Sequence, residues 1–144
     1  MAYSTLTDME QLIPEETLTQ ITDDEGAGEI DEDRITEAIA TADAEIDSYC
    51  AARYTVPFTV VPTIVKKLSI DMAIYNLYSR RVEEIPATRA DRYKNAIRLL
   101  EGIAKGTITL GVDPAPTGST EGSSAECNKT SSDRIFTRRK MRGF

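Results

Sequence analysis

Residues 30–62 read IDEDRITEAIATADAEIDSYCAARYTVPFTVVP, and this stretch decides the fold. Ile35, Ile39, Ala42, Ile46, Tyr49, Cys50 and Arg53 recur at three- and four-residue steps, which draws one apolar stripe along a helix. Glu37, Asp43 and Asp47 fall off that stripe as chosen, and the paired carboxylates Asp43 and Asp47 are expected to face solvent. Asp31 or Asp33 can cap the start through a side-chain oxygen, with further acids facing the positive end of the helix dipole. The helix is predicted to run to about Arg53, and Pro57 and Pro62 forbid its continuation.

Working outward, the same periodicity appears twice more. Ile64, Val65, Leu68, Met72, Tyr75 and Tyr78 form a stripe on a helix that begins near Pro62 and Thr63 and ends at Arg80 and Arg81, where cations suit the dipole. After VEEIPA, Thr88 is the expected cap of a helix reaching Ala104, with Tyr93, Ile97, Leu100 and Ile103 at helical spacing and Gly106 as its stop. Between the first two helices, residues 54–61 favour extended backbone, but their proline limits them to a structured connection. Upstream, Thr7 or Asp8 can cap a short turn and Pro14 can open the next one, with Leu12, Ile13, Leu18 and Ile21 inward. Residues 22–29, TDDEGAGE, read as a flexible acidic loop, and residues 107–110 as a very short extended piece.

The expected architecture is therefore mainly α: a small bundle of three to four helices over residues 1–110, followed by an extended, linker-like tail. Residues 111–133, GVDPAPTGSTEGSSAECNKTSSD, have linker composition and too little apolar surface to offset their ordering entropy. Residues 134–144, RIFTRRKMRGF, return to apolar side chains among cations, the pattern of a docking peptide. Ile135, Phe136, Arg138, Arg139, Arg142 and Phe144 are its candidate partner-binding residues.

A chain of 144 residues holds one modest core, and 40% hydrophobic residues with no Trp describe one built from Ile, Ala and Leu. The net charge of −7 conceals an asymmetry. Residues 1–33 carry eleven acids and no Lys or Arg, whereas residues 134–144 carry five cations and no acid. Such a chain invites head-to-tail contact between copies, or docking of its basic end on an acidic partner. No apolar run approaches the roughly 20 residues that span a bilayer, so no membrane partner is expected. The polar, acidic start lacks the features of a secretory signal, which points to a cytoplasmic site of synthesis.

The chemistry the sequence excludes is as informative. With no histidine, Ser-His-Asp and Cys-His catalysis are removed together with the commonest transition-metal ligand. Cys50 and Cys127 cannot make a structural zinc site, and a disulfide framework is not expected from two cysteines in such different segments. Neither standard phosphate-cradling glycine motif is present. Residues 23–34, DDEGAGEIDEDR, imitate a calcium loop in placing Gly28 sixth and Ile30 eighth, but Ala27 stands fifth and Arg34 twelfth where a bidentate Glu is required. Tyr49, Tyr54, Tyr75 and Tyr78 can be drawn as a base-stacking surface, yet their helical spacing and acidic surroundings favour packing. No catalytic residue, cofactor or metal ligand is assigned.

In joint order and spacing, MAYSTLTDM, IDEDRITEAIATADAEIDSYCAARYTVPF with Pro62 behind it, AIYNLYSRR, RYKNAIRLLEGIAKGTITL and DRIFTRRKMRGF resemble the Mu-like phage family of gp36-type proteins, small head-tail connector or head-completion adaptors. The resemblance covers nearly the whole chain. It implies a non-enzymatic role in the virion neck, assembled in the host bacterial cytoplasm. Copies would form a ring, commonly twelvefold, beneath the portal protein, extend the channel through which genomic DNA passes, and meet a tail terminator or tail-completion protein. Competing expectations are a cytoplasmic regulatory module whose basic tail binds nucleic acid or an acidic partner, an enzyme working with carboxylates alone, and a tail terminator, which would be richer in β structure.

Overall fold

The structure, a computed structural model, describes residues 2–24, 26–80 and 85–115. Among these lie five helices and no strand: α1 (Leu6–Glu10), α2 (Glu15–Thr22), α3 (Glu32–Cys50), α4 (Thr63–Arg80) and α5 (Ala87–Lys105). The mainly helical expectation holds. The count rises to five because Pro14, which has no N–H to continue a helix, divides the N-terminal segment into α1 and α2.

Helices α3, α4 and α5 pack on one another, with α1 laid across α3 and α4 and α2 against α4. Helix α4 is central. Its residues Leu68 to Ile74 are all buried, polar Ser69 and Asp71 included, so it is enclosed nearly all round rather than along a single stripe. Tyr75 and Tyr78, expected on that stripe, are only half-buried. The α3 stripe closes on α4 through Ile35, Ile39, Ala42, Ile46 and Cys50, while α5 contributes Ala96, Leu100 and Ile103. Arg53 falls beyond the end of α3 at Cys50 and is half-buried, as is Tyr49 within the last turn of the helix.

The helix ends follow local chemistry. Asp31 caps α3, its Oδ1 accepting from Asp33 N–H and Arg34 N–H at 3.0 and 3.1 Å. Thr5 and Asp8 form a capping box on α1, which puts the cap two residues earlier than the expected Thr7. Pro86, not Thr88, precedes α5; its φ of −54° already suits helix entry, and Thr88 falls inside the first turn. Gly106 ends α5 in the left-handed conformation at φ 79°, and the Thr107 and Ile108 N–H groups both donate to Gly102 O.

Two further expectations change. Leu12 is 42% exposed, since the break between α1 and α2 hands the inward position to Ile13. The acidic loop after α2 is internally tied: Asp23 Oδ1 accepts from Gly26 and Ala27 N–H, and Oδ2 accepts from Gly28 N–H. That carboxylate is thus turned onto its own backbone, away from the first position of a cation loop.

Candidate functional site

Ile135, Phe136, Arg138, Arg139, Arg142 and Phe144 lie outside the described residues, as does Cys127. The described body offers two features on one side of α3: a polar clip made by the N-terminal residues, and a groove beside it.

The clip begins at Tyr3, whose N–H donates to Asp43 Oδ2 at 2.8 Å while its hydroxyl donates to Asp47. Phe58 N–H in turn donates to the Tyr3 hydroxyl at 3.2 Å, and the Tyr3 and Phe58 rings meet at 5.7 Å. Ser69 of α4 donates to Asp43 Oδ1 at 2.6 Å. Its single proton is thereby used, so Ser4, 2.7 Å away, donates to the Ser69 oxygen. One carboxylate on α3 thus joins the N-terminal segment to α4, and one phenol adds the connection after α3.

This corrects the solvent-facing reading of Asp43, which is 7% exposed. The signal was present in the spacing: Ile39, Asp43, Ile46 and Cys50 follow four-, three- and four-residue steps, so Asp43 stands on the buried stripe. Burial pushes its carboxyl above the ordinary aspartate value, against the pull of its bonds from Ser69 and Tyr3, and nearby Asp47 pushes the same way. Burial likewise raises the Tyr3 phenol, reinforced by its bond to Asp47. The Cys50 thiol is buried and pushed up to about 11, by burial first and then by Asp47, which makes it a packing residue rather than a nucleophile.

The other polar contacts are also ties between elements. Asp71, buried on α4, meets Arg92 of α5 at 3.3 Å and Lys67 at 3.7 Å. The Tyr93 hydroxyl of α5 donates to Glu45 of α3 at 3.1 Å, while its ring stacks on Tyr75 at 4.1 Å. Burial and the Glu45 charge push that phenol up to about 12. With Tyr54 buried and Tyr75 stacked on Tyr93, these rings serve packing and present no open base-stacking row.

The groove, of about 460 Å³, runs along α3 beside residues 2–6. Ile35, Ile39 and Asp43 are its buried lining on α3, Ala40 and Ala44 are small, exposed positions beside them, and Glu32 and Asp47 stand towards its ends. No Lys or Arg lines it. It has the shape of a docking surface, with no group in it suited to nucleophilic attack. Among the described residues no cluster of His, Cys, Asp and Glu is arranged to hold a metal ion, and no helix is long and apolar enough to cross a membrane.

Residues 3–128 match the family model described as Bacteriophage Mu, Gp36. The chain belongs to the phage Mu Gp36 family. Among relatives of this Gp36 family member, Gene product J of Escherichia phage Mu is 33% identical, the alignment covering 100% of this chain and 99% of that protein. The Mu-like prophage FluMu protein gp36 of Haemophilus influenzae is 36% identical over 60% of this chain and 59% of its own length. The Gp36 match takes in the described body from Tyr3 onward, with the clip and all of the groove lining but Ala2, and ends short of the basic segment. Membership supports a phage structural or morphogenesis protein, consistent with a helical body whose polar clusters tie helices together.

Proposed function

We propose that this protein is a head-tail connector, a head-completion adaptor whose copies form a ring beneath the portal protein, extend the DNA channel and receive the tail. The observation that carries the reading is the full-length likeness to a phage Mu gene product, joined to a small, internally tied helical body. It acts by assembly rather than catalysis. A ring closes when one face of a wedge meets a different face of its neighbour, and a helical body with separate surfaces on α3 and α5 suits such heterologous contact.

The acidic surface supports the passage of genomic DNA. Like charge along a channel keeps phosphates from adhering, whereas a basic lumen would hold them. The C-terminal segment is assigned to the portal or a neighbouring subunit, with Phe136 and Phe144 as apolar anchors, Ile135 beside them, and Arg138, Arg139 and Arg142 as charge contacts. The ring would number as many copies as its portal platform, commonly twelve.

Quantitative mass spectrometry of purified tailed particles tests the reading. A ratio to portal protein near one to one is expected. Absence of the chain from particles, together with salt-dependent DNA binding by the isolated protein, would replace the connector with a cytoplasmic regulatory module.

A further inference from the structure

The groove on α3 combines apolar side chains with hydroxyls and acids and has no cation in its lining, and the chain itself carries a segment that joins apolar side chains to the opposite charge. From Glu32 to Asp47 the helix rises roughly 22 Å, the span of about seven extended residues. The small side chains of Ala40 and Ala44 beside buried Ile39 leave room for an aromatic ring, and Glu32 and Asp47 flank them with no cation in the lining. Residues 134–144 supply Phe136 and Phe144 as rings and five cations without one acid. The two surfaces match in both polarity and charge.

The path of the chain adds an independent reason. After α5 the backbone returns to the C-terminal end of α3: Leu110 N–H donates to the Tyr54 hydroxyl at 3.1 Å, and Ala115 N–H donates to Arg53 O at 2.8 Å. The chain therefore leaves the described body at the C-terminal end of α3, the end at which Asp47 closes the groove. Residues 116–133 can bridge at most about 60 Å, well beyond the length of the groove. A segment so tethered faces its own groove at an effective concentration of order millimolar, far above that of a second copy in dilute solution.

We propose that the α3 groove is the seat of the chain's own C-terminal segment, Arg134 to Phe144, with an aromatic ring over Ala40 and Ala44 and the arginines against Glu32 and Asp47. This goes beyond the connector assignment and stands without it. In a connector, the segment would leave this seat before engaging the portal or a neighbour.

Zero-length carbodiimide coupling of the full-length protein tests this, using an equal mixture of ¹⁴N- and ¹⁵N-labelled chains. Lys140 is the lysine of the segment, and coupling to Glu32 or Asp47 is expected, in peptide pairs of a single isotope. The coupling is expected to be lost in Ala40→Arg, which sets bulk and like charge at an exposed position of the lining, and in Phe136→Ala, which lies outside the described body. Circular dichroism confirms that each variant remains folded. Coupling that survives both substitutions, that goes to other acids, or that fails altogether overturns the proposal. Mixed-isotope pairs at Glu32 or Asp47 would give the groove to a neighbour's segment and overturn the own-chain assignment. Because the readout is taken on the isolated chain, its failure is separate from absence from particles.

Discussion

Asp43 is a buried acid without a cation in its bonding set; Tyr3 N–H and the Ser69 hydroxyl are its partners. Replacing it by alanine leaves two inward-facing donors without an acceptor, and each unsatisfied group costs about 1–3 kcal/mol. Asp43→Ala is expected to lose about 2–4 kcal/mol, read as a lower urea midpoint with an unchanged slope. Tyr3→Phe keeps the ring against Phe58 and removes only the hydroxyl, so about 1–2 kcal/mol is expected from the orphaned Phe58 N–H. The pH dependence has a definite sign. An aspartate raised in the folded state binds protons there more readily than in the unfolded chain, so its ionisation weakens folding at neutral pH, and that weakening is relieved as pH falls through the raised value towards the ordinary one near 3.8. Asp8 runs the other way: its bond to Lys66 lowers it, and the stability it adds is lost as pH falls through that lowered value. The stability of the parent minus that of Asp43→Asn should therefore grow on mild acidification above the ordinary carboxylate range. A difference that shrinks in that window would mean that Asp43 is not desolvated as described.

At the scale of elements, the three long helices were legible because their signals are local. Apolar residues at helical spacing, an Asp cap, a proline stop and a glycine terminator each act within a few residues, and α3, α4 and α5 form where those signals stand. What escaped depends on partners distant in sequence. The spacing places Asp43 on the buried stripe, but which groups satisfy its carboxylate, Ser69 and Tyr3, is settled only by the fold, and the all-round burial of α4 follows from having α3 and α5 on its sides. Leu12 and Ile13 are adjacent apolar residues, and only the offset between α1 and α2 decides which turns inward. The glycine stop of α5 is open to direct test. Gly106 sits at φ 79°, and an added Cβ would also run into the Arg53 guanidinium. The long Arg53 side chain can swing aside, but the backbone conformation cannot be relieved, so Gly106→Ala is expected to cost about 1–2 kcal/mol. Thermal melting of the variant measures it. Asp31→Ala removes the acceptor for Asp33 and Arg34 N–H and is expected to cost about 1 kcal/mol. Both changes lie away from the groove lining, so they separate stability from docking.

For the whole molecule the division that matters is between the described helical body, within residues 2–115, and the basic segment Arg134 to Phe144 that the charge pattern sets apart from it. The hydrogen bonds and core contacts described among α1 to α5 join residues of that body to one another, so removal of Arg134 to Phe144 leaves those pairs in place. The truncated chain is expected to keep its helical circular dichroism, with a urea midpoint lowered only by the contribution of seating the segment on the α3 groove. Under the connector reading the same truncation should abolish incorporation into particles, because the apolar anchors and arginines assigned to attachment are gone. The two outcomes together locate the defect in assembly rather than in folding. Ionic strength refines the point: charge contacts at exposed arginines weaken as salt rises, since the screening length falls from about 10 Å at 0.1 M to about 3 Å at 1 M, while anchors seated by burial persist. Attachment that fades steeply with salt in the Phe136→Ala variant, and only slightly in the parent, would show the rings carrying affinity and the cations steering approach. Normal tailed particles from the truncated chain would remove the segment from attachment altogether and leave the helical faces of the body as the surface that meets the portal.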